Sequence, residues 1–270
     1  MLRRTLVTLS MAALGAMSFA VTLPVSAYDF NNRLDPFYAA NEHVGDAAYR
    51  TGAGPTSPGT AVFSDANVGG VNKKVLDVAV GGLVRALHGI GANGGGSYVN
   101  QYTILMDVKF NQTSEPWSSL YNTNADNNND GDAWIQWGVG IGVGGQYAGT
   151  VPNNEWTRLV FSVNMTGAGT TWKFYFDGAL ANTASTGSTI DGGPSMYCWD
   201  DGDSDSDAVD ILADNDGENV PSQLSQLAFF DGVLTDDQVA GLGQVGSVVP
   251  EPASLAVLGL GVLALRRRRK

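Results

Sequence analysis

The strongest constraint on this chain is an alternation of period two. In YTILMDVKF, Tyr102, Ile104, Met106, Val108 and Phe110 fall on one side, and Thr103, Asp107 and Lys109 on the other. Successive side chains of an extended strand point to opposite faces, so this spacing describes one apolar and one polar face. RLVFSVN repeats it with Leu159, Phe161 and Val163. TWKFYFDG does so with Trp172, Phe174 and Phe176 against Lys173, Tyr175 and Asp177, and Asp177-Gly178 is a hairpin-turn dipeptide. These segments read as half-buried antiparallel strands. Among the 35 glycines of the chain many, with Asn, Asp and Ser, punctuate short strands elsewhere, which predicts an all-β sandwich or barrel. One helix is predicted, with Thr235 as N-cap, Gln238 at the capping-box position, Asp236 and Asp237 at its positive end, and Gly241 and Gly243 stopping it.

The two ends differ from this pattern. Arg3 and Arg4 precede an apolar stretch from Leu6 to Leu23, and Val25-Ser26-Ala27 offers small residues for a cut after Ala27. Residues 1–27 thus read as a secretory signal. At the other end stand Pro250, Glu251 and Pro252, an apolar run from Ala253 to Leu265, and the basic block Arg266 to Lys270. The apolar run has 13 residues. As a helix it would reach roughly 20 Å against a hydrocarbon core of about 30 Å, so a simple tail anchor would need help to span. The basic block would stay on the cytoplasmic side, which puts the rest of the chain outside.

Export signal, Pro-Glu-Pro, short apolar run and terminal Arg cluster, in that order, resemble the PEP-CTERM sorting tail of Gram-negative bacteria. The resemblance implies an exosortase-type processing protease as partner and transient inner-membrane contact through the tail. It further implies delivery to the cell surface or the extracellular matrix. Between the ends, residues 28–243 are expected to form one domain, with a linker at 244–248 and the sorting tail at 249–270.

Without the ends, 8 basic residues face 26 acidic ones, a net charge near −18. Such a field repels nucleic acid and anionic lipid and attracts cations. Cys198 is the only cysteine, so an exported domain has no internal disulfide, and the thiol reads as buried and inert.

The order YDFNNRL, YTILMDVKF, NNEWTRLVFSVN, TWKFYFDGAL and SQLAFFDGVLTDDQVAGL resembles the laminin G-like group of concanavalin A-like jelly rolls. Trp156 stands before a long strand, Phe176-Asp177-Gly178 matches the aromatic-Asp-Gly hairpin, and the closing strand leads into a short helix. The resemblance implies two antiparallel sheets of six or seven strands, with first and last strands close together. This chain departs from the group at SQLAFF, where an acidic residue is common.

Fold does not fix activity, so the chemistry has to be sought in the residues. Jelly-roll glucanases carry a Glu-x-Asp-x-x-Glu run, and Glu42, Glu115, Glu155 and Glu218 stand in no such run. His43 and His88 lie in Gly- and Ala-rich stretches and read as structural rather than as a lyase base. No catalytic constellation emerges, and no enzyme is expected; a polysaccharide hydrolase or lyase on the same fold is the alternative.

Two acidic tracts are candidate Ca2+ sites. Asp126, Asn128, Asp130 and Asp132 occur at every second position around Gly131, like the first half of a calcium loop. Trp137 occupies position 12 where a bidentate Glu belongs, so the tract reads either as a calcium loop between strands or as a solvated hairpin tip. In the second tract, Asp200 to Glu218, the set Asp214, Asp216 and Glu218 with Gly217 is the best local chelator, a flexible acidic loop being the other reading. Beside these tracts lie Trp134, Trp137, Tyr147 and Trp199, candidates for stacking on sugar rings that could equally serve the core. Trp117, Trp156 and Trp172 are assigned to core or sheet packing. The expected function is a secreted, surface-sorted, non-catalytic protein whose jelly roll binds glycan, extracellular polysaccharide or a surface protein, with calcium.

Overall fold

The computed structural model describes residues 22–52, 56–113, 115–124, 126–198 and 208–246. The first half contains β1 (Ser26–Tyr28), β2 (Tyr38–Ala39), β3 (Ala48–Thr51), β4 (Ser57–Pro58), β5 (Val62–Val68), β6 (Val71–Val78), β7 (Gly82–Leu87), β8 (Gln101–Phe110) and β9 (Trp117–Asn122). There follow β10 (Ala133–Gln136), β11 (Gly140–Val143), β12 (Gln146–Ala148), β13 (Thr157–Asn164), β14 (Thr170–Phe176), β15 (Ala179–Thr186), β16 (Ala208–Ile211), β17 (Ser222–Asp231) and the helix α1 (Asp236–Gly241).

The strands form an antiparallel two-sheet jelly-roll sandwich. One sheet runs β15-β14-β13-β8-β17-β1-β2 with β6 and β5 joined to β17; the other runs β12-β11-β10-β9-β16-β7-β3-β4. The sheets hold nine and eight strands, more than the expected six or seven, because several short strands extend their edges. First and last strands pair directly, Ala27 opposite Ala228.

The expected alternation holds on the inner face. Tyr102, Ile104, Met106, Val108 and Phe110 of β8 join Leu159, Phe161 and Val163 of β13 and Trp172 and Phe174 of β14 in one buried cluster. Tyr121 from the opposite sheet stacks on Phe161 at 4.9 Å between ring centroids. Tyr102 donates its hydroxyl proton to Pro194 O at 2.7 Å, so Tyr121 is the donor in the 2.7 Å bond between the two hydroxyls.

The outer face of β8 and β13 departs from the half-buried expectation. Leu234, Val239 and Leu242, in and around α1, cover Leu105, Val160, Tyr175, Ala228 and Phe230, with Phe37 and Tyr38 packed alongside. Asp107, expected on a polar face, is consequently buried and takes a two-pronged bond from Arg158, Nε to Oδ1 at 2.7 Å and Nη2 to Oδ2 at 2.8 Å. Burial outweighs the guanidinium and keeps the Asp107 carboxyl above its ordinary range. Such a pair is held by mutual need: losing one partner alone typically costs about 3–5 kcal/mol.

Local signals survive intact. Asp177 (φ 47°) and Gly178 (φ 82°) both take the left-handed conformation of a two-residue hairpin turn. Thr235 Oγ1 accepts from Gln238 N while Gln238 Oε1 accepts from Thr235 N, closing the capping box.

The boundary expected after Ala27 falls inside β1. Val25 N donates to Phe229 O, Phe37 N to Ala27 O, Ser26 Oγ to His88 O and Gln238 Nε2 to Thr22 Oγ1. The smallness of Ser26 and Ala27 that suits a cleavage site also suits a strand buried beneath its neighbours. The linker expected at 244–248 begins packed against the domain, with Val245 N on Asp177 Oδ1 at 3.3 Å. A Cβ on Gly69 (φ +58°) would come within 2.6 Å of Val245 O, so this approach requires glycine. Trp199, the acidic run before Ala208, and the sorting tail with Pro250, Glu251, Pro252 and the apolar run lie outside the described residues. Among the described residues no helix is long and apolar enough to cross a membrane.

Candidate cation and glycan site

Strand pairing brings the two acidic tracts together. β9 lies between β10 and β16, so the β9–β10 loop, residues 123–132, meets the turn that follows β16. In that turn Asp214, Asp216 and Glu218 place one carboxylate oxygen each within 4.8 Å of one another. Asp130 stands close enough to raise the carboxyl pKa of both Asp216 and Glu218.

Asp214 is the fixed member. It is buried, and its carboxylate accepts from Gly131 N (3.1 Å), Asp216 N (3.2 Å) and Glu218 N (3.4 Å). Asp216 is exposed, and the hydrogen bond and charge of Asp214 push its carboxyl up to about 6. Burial, then the charges of Asp216 and Asp214, raise Glu218. Mutual repulsion of this kind is what a shared cation relieves, and clustered carboxylates are the donor chemistry of calcium. Asn215 Oδ1, in the same turn, is buried with no hydrogen-bond partner among the described residues.

The first tract does not fold into one chelate. Asp126 and Asn128 are exposed, and only Asp130 joins the acidic group. Asp132 turns away, accepting from Thr123 N at 2.7 Å, and burial pushes its carboxyl up to about 7. Buried amides shape the loop instead. Asn122 Nδ2 donates to Asn127 Oδ1 and Asn129 O, and Asn127 (φ 49°) donates to Asp214 O. Nothing in the spacing of the tract distinguishes these two asparagines from their neighbours.

Beside the acidic group lies an aromatic patch. Trp134 pairs across the strands with Ser119 on one side and Gly142 on the other, and Gly142 pairs with Tyr147. Ile135 and Ile141 point into the core, so Trp134 and Tyr147 lie on the outer face. Trp117, expected in core or sheet packing, lies there too, edge-on to Trp134 at 6.2 Å and to Tyr147 at 5.3 Å. Trp137 sits apart from this patch: its ring packs edge-on to Phe110 and its Nε1 donates to Ser118 Oγ at 2.8 Å. Gly131 joins patch and carboxylates, its N–H on Asp214 and its carbonyl accepting from Trp134 Nε1 at 3.0 Å.

A further cavity of about 180 Å3 is lined in part by the β9–β10 loop. Its lining includes Tyr98, Thr123, Asn124, Asn129, Asp191 and Tyr197. No periodic signal in the sequence points to it, because three loops distant in the chain build it.

Residues 248–270 match the PEP-CTERM protein-sorting motif. The chain is therefore an exported, surface-sorted protein processed by an exosortase. No curated protein matches it. Among solved structures, domain 4 of AbnA, a GH43 extracellular arabinanase from Geobacillus stearothermophilus in complex with arabinotriose, is similar. It shows 19% identity and a TM-score of 0.54 over 83% of this chain and 99% of that one. The binding domain of Paraclostridial Mosquitocidal Protein 1 is similar at 13% identity and a TM-score of 0.51, over 82% of this chain and 51% of that one. The botulinum neurotoxin serotype G binding domain is similar at 11% identity and a TM-score of 0.50, over 81% of this chain and 50% of that one. The chain thus spans about half the length of each toxin domain. These likenesses show a concanavalin A-like jelly-roll fold.

Proposed function

We propose that this protein is a non-catalytic, calcium-assisted glycan-binding component of a bacterial cell surface or its extracellular polysaccharide. The observation that carries the reading is the junction at Gly131, which ties the carboxylates of Asp214, Asp216 and Glu218 to Trp134 and its aromatic neighbours. A calcium ion there would offset much of the cluster's negative charge and fix the turn. Trp134, Trp117 and Tyr147 would then offer ring faces and edges to sugar C–H groups. The arabinotriose bound to the GH43 domain is in keeping with a sugar ligand on this fold.

Cleavage of a glycosidic bond fits this cluster poorly. Glycosidases set their two carboxyl groups about 5–10 Å apart to flank the bond. Here the oxygens lie within 4.8 Å of one another, and Asp214 is occupied by three backbone donors. The geometry suits a cation better than a glycosidic oxygen.

The full-length secreted protein should melt roughly 5–10 °C higher with calcium at a hundredfold excess over its dissociation constant than in chelator. The difference should vanish in Asp216→Ala and Glu218→Ala. A glycan array with and without calcium should show binding weakened in Trp134→Ala. Identical melting curves would remove calcium, an array blank under both conditions would remove the glycan, and sugar released from a bound polysaccharide would restore the enzyme reading.

A further inference from the structure

We infer that the cavity between Tyr98, Asn129 and Tyr197 is a second carbohydrate subsite, selective for one neutral, non-anionic sugar ring. The inference rests on the glycan reading above and goes beyond it in place and in chemistry. Three loops build the cavity: the β7–β8 connection through Tyr98, the β9–β10 loop through Thr123, Asn124 and Asn129, and the β15–β16 connection through Asp191 to Tyr197.

The walls are held independently of any ligand. Asp191 sits at φ 59° and accepts from Ser97 N (2.7 Å), Tyr98 N (3.0 Å) and Asn100 Nδ2 (2.9 Å). Asn100, fully buried, receives Asp191 N and Ser195 Oγ on its own oxygen, both at 2.8 Å. Burial works against the Asp191 charge, yet the donors from Asn100, Ser97 and Tyr98 hold its carboxyl below the usual range. Behind Tyr197, the neutral His88 ring accepts from Ile90 N on Nδ1, which leaves Nε2–H to donate to Tyr197 O at 2.9 Å. A site locked in this way loses little conformational entropy on binding.

The lining chooses the ligand class. It contains no Lys, Arg or His, and Asp191 contributes a carboxylate, so an anion would meet like charge with nothing opposite. A purely apolar ligand would strip water from Asn124, Asn129 and the Asp191 carboxylate without replacing it. A neutral polyol avoids both penalties. Its hydroxyls can donate to Asp191 and accept from the carboxamides. Among the described residues, the Asn129 carboxamide and the Tyr98 and Tyr197 hydroxyls make no hydrogen bond to protein, so these groups are available. Tyr98 and Tyr197 meet edge to face at 4.9 Å, and Tyr197 is 38% exposed, which leaves an aromatic surface for sugar C–H groups. The volume of about 180 Å3 lies well below the roughly 300 Å3 at which drug-sized pockets begin, so it admits one ring at a time.

Saturation-transfer NMR on the secreted full chain tests this with methyl β-galactopyranoside, methyl β-glucopyranoside and methyl α-arabinofuranoside as neutral probes, and glucuronic acid as the charged one. At least one neutral glycoside should receive saturation and glucuronic acid none. Affinity should fall about tenfold in Tyr197→Ala and in Asn129→Ala, both at exposed positions. Neutral-sugar binding untouched by the Tyr197 and Asn129 variants would overturn the subsite while leaving the glycan reading in place. No transfer to any neutral probe, together with a blank array, would overturn both. Preferential binding of glucuronic acid would overturn the selectivity on which the inference turns.

Discussion

His88 illustrates how much a single buried side chain is asked to do in a fold with no disulfide. Its ring is fully buried, and desolvation lowers its pKa to about 4 against the opposing effect of its bond to Tyr197 O. An unfolded imidazole titrates near 6.5, so between about 6.5 and 4 the unfolded chain binds the proton that the native ring refuses. Stability from this residue is therefore complete above about pH 6.5 and drains away as pH falls towards 4. The shift corresponds to about 3 kcal/mol when fully expressed. Urea unfolding of wild type and His88→Gln at pH 7, 5.5 and 4 isolates the effect, because glutamine can keep an acceptor and a donor without titrating. The gap in favour of wild type should narrow or reverse as pH falls, and parallel pH profiles for the two proteins would show that His88 carries no such load.

At the scale of elements, what could be read from the sequence was whatever depends on near neighbours in the chain. Inner faces of β8, β13 and β14 follow a period of two, Asp177-Gly178 needs two positive φ angles, and Thr235 with Gln238 closes its own cap. What escaped depends on partners far along the chain. Asp107 looked like a solvated residue because the elements that bury it, around Leu234 to Leu242, come more than a hundred positions later. For Trp117 core and sheet packing stayed open, because nothing local tells which face of a short strand the opposite sheet will cover. The two acidic tracts could be seen separately, but only the β9–β16 pairing brings Asp130 beside Asp216. β1 is the sharpest case, since its sequence satisfies an export signal and a sheet at once. With Val25, Ser26 and Ala27 bonded to Phe229, His88 and Phe37, a chain starting at Tyr28 forfeits at least three hydrogen bonds. At about 1 kcal/mol each, that is roughly 3 kcal/mol before counting the buried Ala27. The exported protein is thus expected to begin upstream of Thr22, and Ser18-Phe19-Ala20 supplies small residues at suitable positions. N-terminal sequencing of protein from the natural host checks this; a mature terminus at Tyr28 would mean that the sheet forms without β1.

For the whole molecule, the sandwich sets the side that leads to the sorting motif apart from the aromatic patch proposed for glycan binding. The outer face of the first sheet is covered by α1, and the chain leaves it through Val245 and Gly246 towards the sorting motif at 248–270. The outer faces of two packed sheets point away from each other, so the Trp117, Trp134 and Tyr147 patch on the second sheet faces away from the tethered side. A chain held at its tail can therefore present that patch outward. The net charge near −18 on the domain works in the same direction, repelling an anionic membrane surface while the basic block of the tail is attracted to one. Processing removes this opposition by cutting the two parts from each other. Mass spectrometry of protein recovered from the natural host's surface should accordingly find no peptide containing Arg266 to Lys270, while the same gene expressed without an exosortase should retain the block and stay with the membrane fraction. Recovery of the intact block on surface protein from the natural host would mean that the tail remains as an anchor, and that the domain works at the end of a tether rather than in the matrix.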